Sequence, residues 1–132
     1  MTNVIFIIYV ANQQKSKDFY ENVLQQKPLL DVPGMTEFII NKQTKMGIMP
    51  ETGIAKILGK ETLHPSSGNG IPRSEIYLYV EKPMEYYLRA TEAGAKAISP
   101  LQIRDWGDEV AYCADLDGHI LAFAKTQHLK LK

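Results

Sequence analysis

V110-A-Y-C-A-D-L-D-G-H-I-L-A-F-A124 is the stretch on which the fold turns. Val110 to Ala114 is apolar, with a β-branched residue and an aromatic, and reads as a strand. Asp115-Leu116-Asp117-Gly118 breaks it: short, acidic and closed by glycine, the chemistry of a turn between antiparallel strands. A second strand follows at once, from His119 to Ala124. Cys113, the single cysteine, lies in the first of these strands and is expected to be a small buried hydrophobe rather than half of a disulfide.

Working outward, the same half of the chain offers a strand at Glu75–Val80, a helix at Pro83–Ala93 and a short strand at Lys96–Ser99. Pro83 suits the first helical position and Gly94 the residue after the last. The order is therefore strand, helix, strand, strand, strand. The N-terminal half repeats it. Val4–Val10 reads as a strand, and Gln14–Gln25 as a helix with Phe19, Tyr20, Val23 and Leu24 on one face and Lys15, Lys17, Asp18 and Glu21 on the wet side. Pro28 stops the helix, and strands follow at Leu29–Val32, Thr36–Asn41 and Lys45–Met49. I5-F-I-I-Y-V-A-N12 aligns with E75-I-Y-L-Y-V-E-K82 at an offset of seventy, and the two helices align at the same offset. Internal repetition at fixed spacing is the strongest sign of organisation in the chain.

Between the halves, Pro50 to Pro72 changes character. Ile54–Leu58 predicts one helical turn, and H64-P-S-S-G-N-G-I-P72 predicts a flexible connector. The expected organisation is one α+β domain with module one at 1–58, a connector at 59–72 and module two at 73–132. A length of 132 residues suits one domain with a real core.

Fifteen basic residues balance fifteen acidic ones, so no positive field is available to hold nucleic acid or an anionic membrane. M1-T-N-V-I-F-I-I-Y-V10 is apolar but has no basic flank or small-residue cleavage site, and it falls short of the roughly 20 residues that span a bilayer. It is expected to be a buried strand of a cytoplasmic protein. The basic H128-L-K-L-K132 is expected to be a solvated tail.

Asp115-Leu116-Asp117-Gly118 resembles the turn that closes each module in the vicinal-oxygen-chelate superfamily. S16-K-D-F-Y20 resembles the start of that superfamily's first helix, E92-A-G-A-K96 the end of its second, and R104-D-W-G-D-E109 its closing region. The superfamily holds glyoxalase I, the extradiol dioxygenases, and fosfomycin- and bleomycin-resistance proteins. The resemblance implies two βαβββ modules whose curved mixed sheets enclose a cleft, usually in a homodimer. Metal-using members bind a divalent ion through His and Glu on the cleft-facing strands. The corresponding positions here are Ile5, the stretch 45–49, Glu75 and Ala122. Of these only Glu75 has ligand chemistry, with Glu51 just beyond the second, so the expectation is no metal and no other cofactor.

Three roles are open to Glu75: a carboxylate paired with Arg73 or Arg104, a ligand contact, or a general base. His64, His119 and His128 do not cluster and are expected to be structural or solvated. Strand alternation puts Ile5, Ile7 and Tyr9, and Glu75, Tyr77 and Tyr79, on the cleft faces, and turns Phe6, Ile8, Val10, Ile76, Leu78 and Val80 toward the helices. Trp106 lies in the loop where bleomycin-binding relatives carry an aromatic against the ligand. The candidate ligand-binding residues are thus Tyr9, Glu75, Tyr77, Tyr79 and Trp106; the competing reading of the tyrosines is amphipathic cover for the core. Two functions follow. One is metal-independent binding or sequestration of a small aromatic or amphipathic molecule. The other is a glyoxalase-type lyase or isomerase, or a dioxygenase, using a metal or Glu75 as base. Bleomycin binders are acidic to suit a cationic drug, and this neutral chain is not expected to hold bleomycin itself.

Overall fold

The computed structural model describes residues 1–126, so the expectations for His128 and the basic tail lie outside the described residues. The chain divides into two compact units, the first ending at Asn69 and the second beginning at Gly70.

The first unit runs β1 (Val4–Val10), α1 (Gln13–Leu24), β2 (Leu30–Val32), β3 (Met35–Asn41), β4 (Thr44–Pro50) and α2 (Glu51–Leu58). Its mixed sheet has the order β1-β4-β3-β2, with β1 parallel to β4 and the remaining pairs antiparallel. Asn12 caps α1, its side-chain oxygen accepting from Lys15 N at 2.9 Å, and Gln25 ends the helix in the left-handed region. The helix packs against β3 and β4. The Tyr20 and Phe38 rings stand 6.5 Å apart there, and Phe19, Val23, Ile48 and Val10 are buried with them. Removing side chains of this size from water contributes roughly 1.5–3 kcal/mol each.

Phe6 departs from expectation. It shares a sheet face with the buried Met46, its register partner, yet is 63% exposed. The reason is topological: β1 is the edge strand, and α1 lies over its neighbours.

The stretch 50–72 is more regular than expected, although residues 69–72 of the predicted connector stay irregular. Instead of one turn, α2 has eight residues, with Glu51 in its first turn and Ile54 buried. Two short 3-10 turns follow, at Gly59–Glu61 and Pro65–Gly68. The second is set by Pro65 at its start and by His64, whose Nδ1 accepts from Ser66 N at 3.1 Å. Local capping overrides a composition that otherwise suggests coil.

The second unit runs β5 (Glu75–Tyr79), α3 (Pro83–Glu92), β6 (Lys96–Ile103), β7 (Asp108–Ala114) and β8 (Ile120–Thr126). Its sheet repeats the first, with the order β5-β8-β7-β6 and β5 parallel to β8. Both sheets are open four-stranded sheets carrying helices, so the fold is α+β with two βαβββ units. α3 lies on β7 and β8. The Tyr86 ring on that helix sits 5.6 Å from the Phe123 ring, centroid to centroid, and the Arg89 guanidinium lies 4.4 Å from the Tyr86 centroid.

β6 extends four residues past the predicted Ser99, through two register shifts around Pro100. The Asp115–Gly118 turn is as predicted, and Asp115 organises it: its Oδ1 accepts from Asp117 N and His119 N, both at 2.9 Å. Gly118 holds a φ of 92°, and a Cβ there would stand 2.9 Å from Gly70 Cα.

Candidate functional site on the helix-free face of the second sheet

β5, β8 and β7 lie side by side, and the register sets which residues share a face. Tyr77 pairs with Ala122, which pairs with Tyr112; Tyr79 pairs with Ala124, which pairs with Val110. Val110, Ala122 and Ala124 form a fully buried floor against which Tyr77 and Tyr112 pack. Continuing the alternation along β7 from Tyr112 and Val110 brings Asp108 onto the same face.

Asp108 is the centre of the arrangement. It is only 2% exposed, and Tyr77 Oη and Tyr79 Oη both donate to its Oδ2, each at 2.8 Å. The two rings meet edge to face, 5.3 Å apart. Trp106 stands at the tip of the hairpin between β6 and β7, which is closed by Arg104 N donating to Asp108 O and Gly107 N to Arg104 O, both at 2.9 Å. From there its Nε1 donates to Tyr77 Oη at 2.8 Å. An indole N–H can only donate, so the chain of protons has one direction: Trp106 to Tyr77, then Tyr77 and Tyr79 to Asp108. Trp106 remains 53% exposed and Tyr79 64% exposed.

The phenols respond to this setting. Burial, with the hydrogen bond to Asp108 adding to it, raises Tyr77 well above the ordinary phenol range; the hydrogen bond from Trp106 works the other way. The bond to Asp108 raises Tyr79, and burial together with the Glu75 charge raises Tyr112.

Arg104 does not pair with Glu75, which corrects one of the predicted roles. Its Nη2 donates to Pro100 O and Val110 O, both at 2.8 Å, and to Ser99 Oγ at 3.1 Å, tethering the irregular part of β6 to β7. Its guanidinium lies 5.1 Å from the Tyr112 ring centroid. Arg73 does not take up the role either: among the described residues Glu75 has no ion pair, and it is exposed at the start of β5.

The structure thus brings Tyr77, Tyr79 and Trp106 into one hydrogen-bonded group, with Glu75 on the same strand. Tyr9 belongs to the first unit, where it is half-buried near the end of β1. Sequence reasoning missed Asp108 as the hub because β7 was started at Val110; the alternation carried two residues back would have found it.

Ile5 and Ala122 offer only hydrocarbon, and Ala122 is fully buried in the floor. Among the described residues, no group of three or more His, Cys, Asp or Glu could hold a metal ion. The residues do not fit the ion. Cys113 is buried as well, and burial pushes its thiol up to about 12.

Two βαβββ units, each with a mixed sheet of this strand order, are the architecture of the vicinal-oxygen-chelate superfamily. Within it, the chain belongs to the glyoxalase-like domain family, whose profile matches residues 3–126. The chain is similar in structure to a glyoxalase-related enzyme from Fulvimarina pelagi, with a TM-score of 0.78 at 19% identity, covering 93% of this chain and 86% of the other. It is also similar to the hypothetical protein SA1046 of S. aureus, with a TM-score of 0.77 at 21% identity, covering 95% and 94%. In sequence it is 29% identical over 115 residues to the uncharacterized protein Mb0911c of Mycobacterium bovis, covering 85% of this chain and 75% of that one. Among the described residues no helix is long and apolar enough to cross a membrane.

Proposed function

We propose that this protein is a metal-independent member of its family that binds or sequesters a small aromatic or amphipathic molecule against the Tyr77–Tyr79–Trp106 face. The observation that carries the reading is the fixing of Tyr77 and Tyr79 by one buried carboxylate, Asp108, and of Trp106 by Tyr77, above a floor of small residues. A satisfied polar network holds exposed aromatic surface in a set geometry, which lowers the entropy lost when a ligand lands on it. Aromatic surface with a few placed polar groups is what small-molecule sites present.

Glu75, on the same strand, adds a solvent-exposed carboxylate at the edge of this surface. The reading includes residence in the cytoplasm, where a lone thiol such as Cys113 stays reduced. It also includes a homodimer, because each open sheet ends in strands with unpaired edges; sedimentation at micromolar concentration tests that, and a monomer removes it.

The binding reading is tested by screening aromatic and amphipathic compounds against the emission of Trp106, the single tryptophan. Calorimetry then compares the hits on Trp106→Ala and Glu75→Ala variants, where affinity should fall by about 1–3 kcal/mol. Hits that bind both variants with unchanged affinity place the site elsewhere, and a stoichiometric divalent metal in the purified protein overturns the metal-independent part.

A further inference from the structure

We propose that the occupant of the aromatic face is an organic cation, an alkylated ammonium carried on an apolar body. This rests on the binding role just proposed and goes on to name the chemical class. The argument is one of donors and acceptors. Every polar hydrogen of the three aromatics is already committed inward: Trp106 Nε1–H to Tyr77, and the Tyr77 and Tyr79 hydroxyls to Asp108 Oδ2. What faces outward is π surface and phenol lone pairs. Tyr79 Oη donates to Asp108, and among the described residues no donor reaches it in return. Outward, these three side chains can only accept, and by themselves they have nothing with which to hold a carboxylate, sulfate or phosphate.

The charges agree. Asp105, Asp108 and Glu109 surround Trp106 in sequence, with Arg104 as the one base among them. That guanidinium gives its Nη2 to Ser99, Pro100 and Val110 and lies over the Tyr112 ring, and its Nε is buried, so the carboxylates outnumber it at this corner. Glu75 adds a further carboxylate with no ion pair among the described residues, close enough to Tyr112 to raise its phenol. A net negative aromatic corner attracts a cation through the ring quadrupoles and through the carboxylates behind and beside them. An alkylated ammonium is favoured over a small metal ion because it sheds its water readily and fills apolar surface, while no set of three metal-binding side chains converges among the described residues.

The experiment titrates the full chain with three probes of one shape, followed by calorimetry and by Trp106 emission: benzyltrimethylammonium, its neutral carbon isostere neopentylbenzene, and the anion benzylsulfonate. The expected result is saturable binding of the cation at least about tenfold tighter than the isostere, with the anion not binding, consistent with a desolvated cation–π contact. Glu75→Gln should weaken the cation severalfold and leave the isostere unchanged; this exposed position lies outside the core, so the variant folds. Equal affinity for cation and isostere, or comparable binding of the anion, overturns the cation assignment while leaving the aromatic site in place. Binding of none of the three overturns both the assignment and the site.

Discussion

Trp106 gives its indole proton to the phenol oxygen of Tyr77 at 2.8 Å, although the two are separated by nearly half the second unit in sequence. The contact ties the tip of the β6–β7 hairpin to the edge strand β5, across the sheet from its own strands. Tyr77 passes the polarisation on to Asp108, so one hydroxyl both orients the tryptophan and satisfies the buried carboxylate.

Tyr77→Phe removes both functions at once. Stability to urea should fall by about 1.5–3 kcal/mol, the range for losing a hydrogen bond to a charged group. Trp106 emission should shift to longer wavelength as the freed indole is hydrated. Tyr79→Phe is the control: it costs Asp108 a donor but leaves the Trp106 bond, so the emission should hold. An unchanged spectrum in Tyr77→Phe would contradict the geometry.

The tyrosines also make a pH dependence. Tyr77 and Tyr79 are raised above the ordinary 10.0 in the folded chain, by burial and by bonding to Asp108 respectively. The unfolded chain therefore loses these protons first as pH rises. Their contribution to stability is complete below 10.0 and declines as pH climbs through the folded values. Denaturation curves on either side of 10.0 should show this fall, with phenolate absorbance tracking it. In Asp108→Asn the dependence should flatten, because the acceptor that raises Tyr79 has lost its charge.

Gly118→Ala should destabilise by about 1–3 kcal/mol, since it adds a positive-φ penalty to a backbone contact. The new Cβ would stand 2.9 Å from Gly70 Cα. Gly34→Ala separates the two effects: φ is 95° there, but nothing lies within 4 Å. Its loss should be the smaller. Thermal melts of the pair decide, and equal losses would show that the contact is relieved by local movement.

Ala122→Glu places a carboxylate where metal-using relatives carry one. Ala122 is fully buried against Val110, Ala124, Tyr77 and Tyr112. Overpacking and an unpaired buried charge should together lower stability by at least about 2 kcal/mol. Added nickel, zinc or manganese should not restore it. A metal-dependent rise in melting temperature specific to this variant would show that more of a metal site survives than the side chains suggest.

Much of the architecture was legible in the sequence. Phe19, Tyr20 and Val23 announce α1 by their spacing, the offset between Ile5 and Glu75 reveals the repeated unit, and Asp115 to Gly118 fixes the final hairpin. Alternation also predicted the shared face of Tyr77 and Tyr79. The parts that were missed share a cause. Pro100 hides the continuation of β6, because a proline cannot donate to the ladder and the strand passes it only through a bulge that Arg104 braces. Asp108 and Glu109 look like loop residues by composition, yet they begin β7, since tertiary hydrogen bonds from two tyrosines stabilise a buried aspartate there. The 3-10 turn at Pro65 is fixed by a single cap from His64 that composition does not register.

In each unit the strand synthesised last is not at the rim but wedged between the first strand and its own hairpin partner: β4 separates β1 from β3, and β8 separates β5 from β7. A nascent chain that has not yet delivered Ile120 to Thr126 therefore holds two unmated strand edges facing an empty slot. Closure is a late insertion rather than a growth outward, which makes for slow folding dominated by distant pairings. Until that strand emerges, the slot is open to a matching strand from another copy, so a truncation just before β8 should yield aggregates rather than a smaller soluble protein.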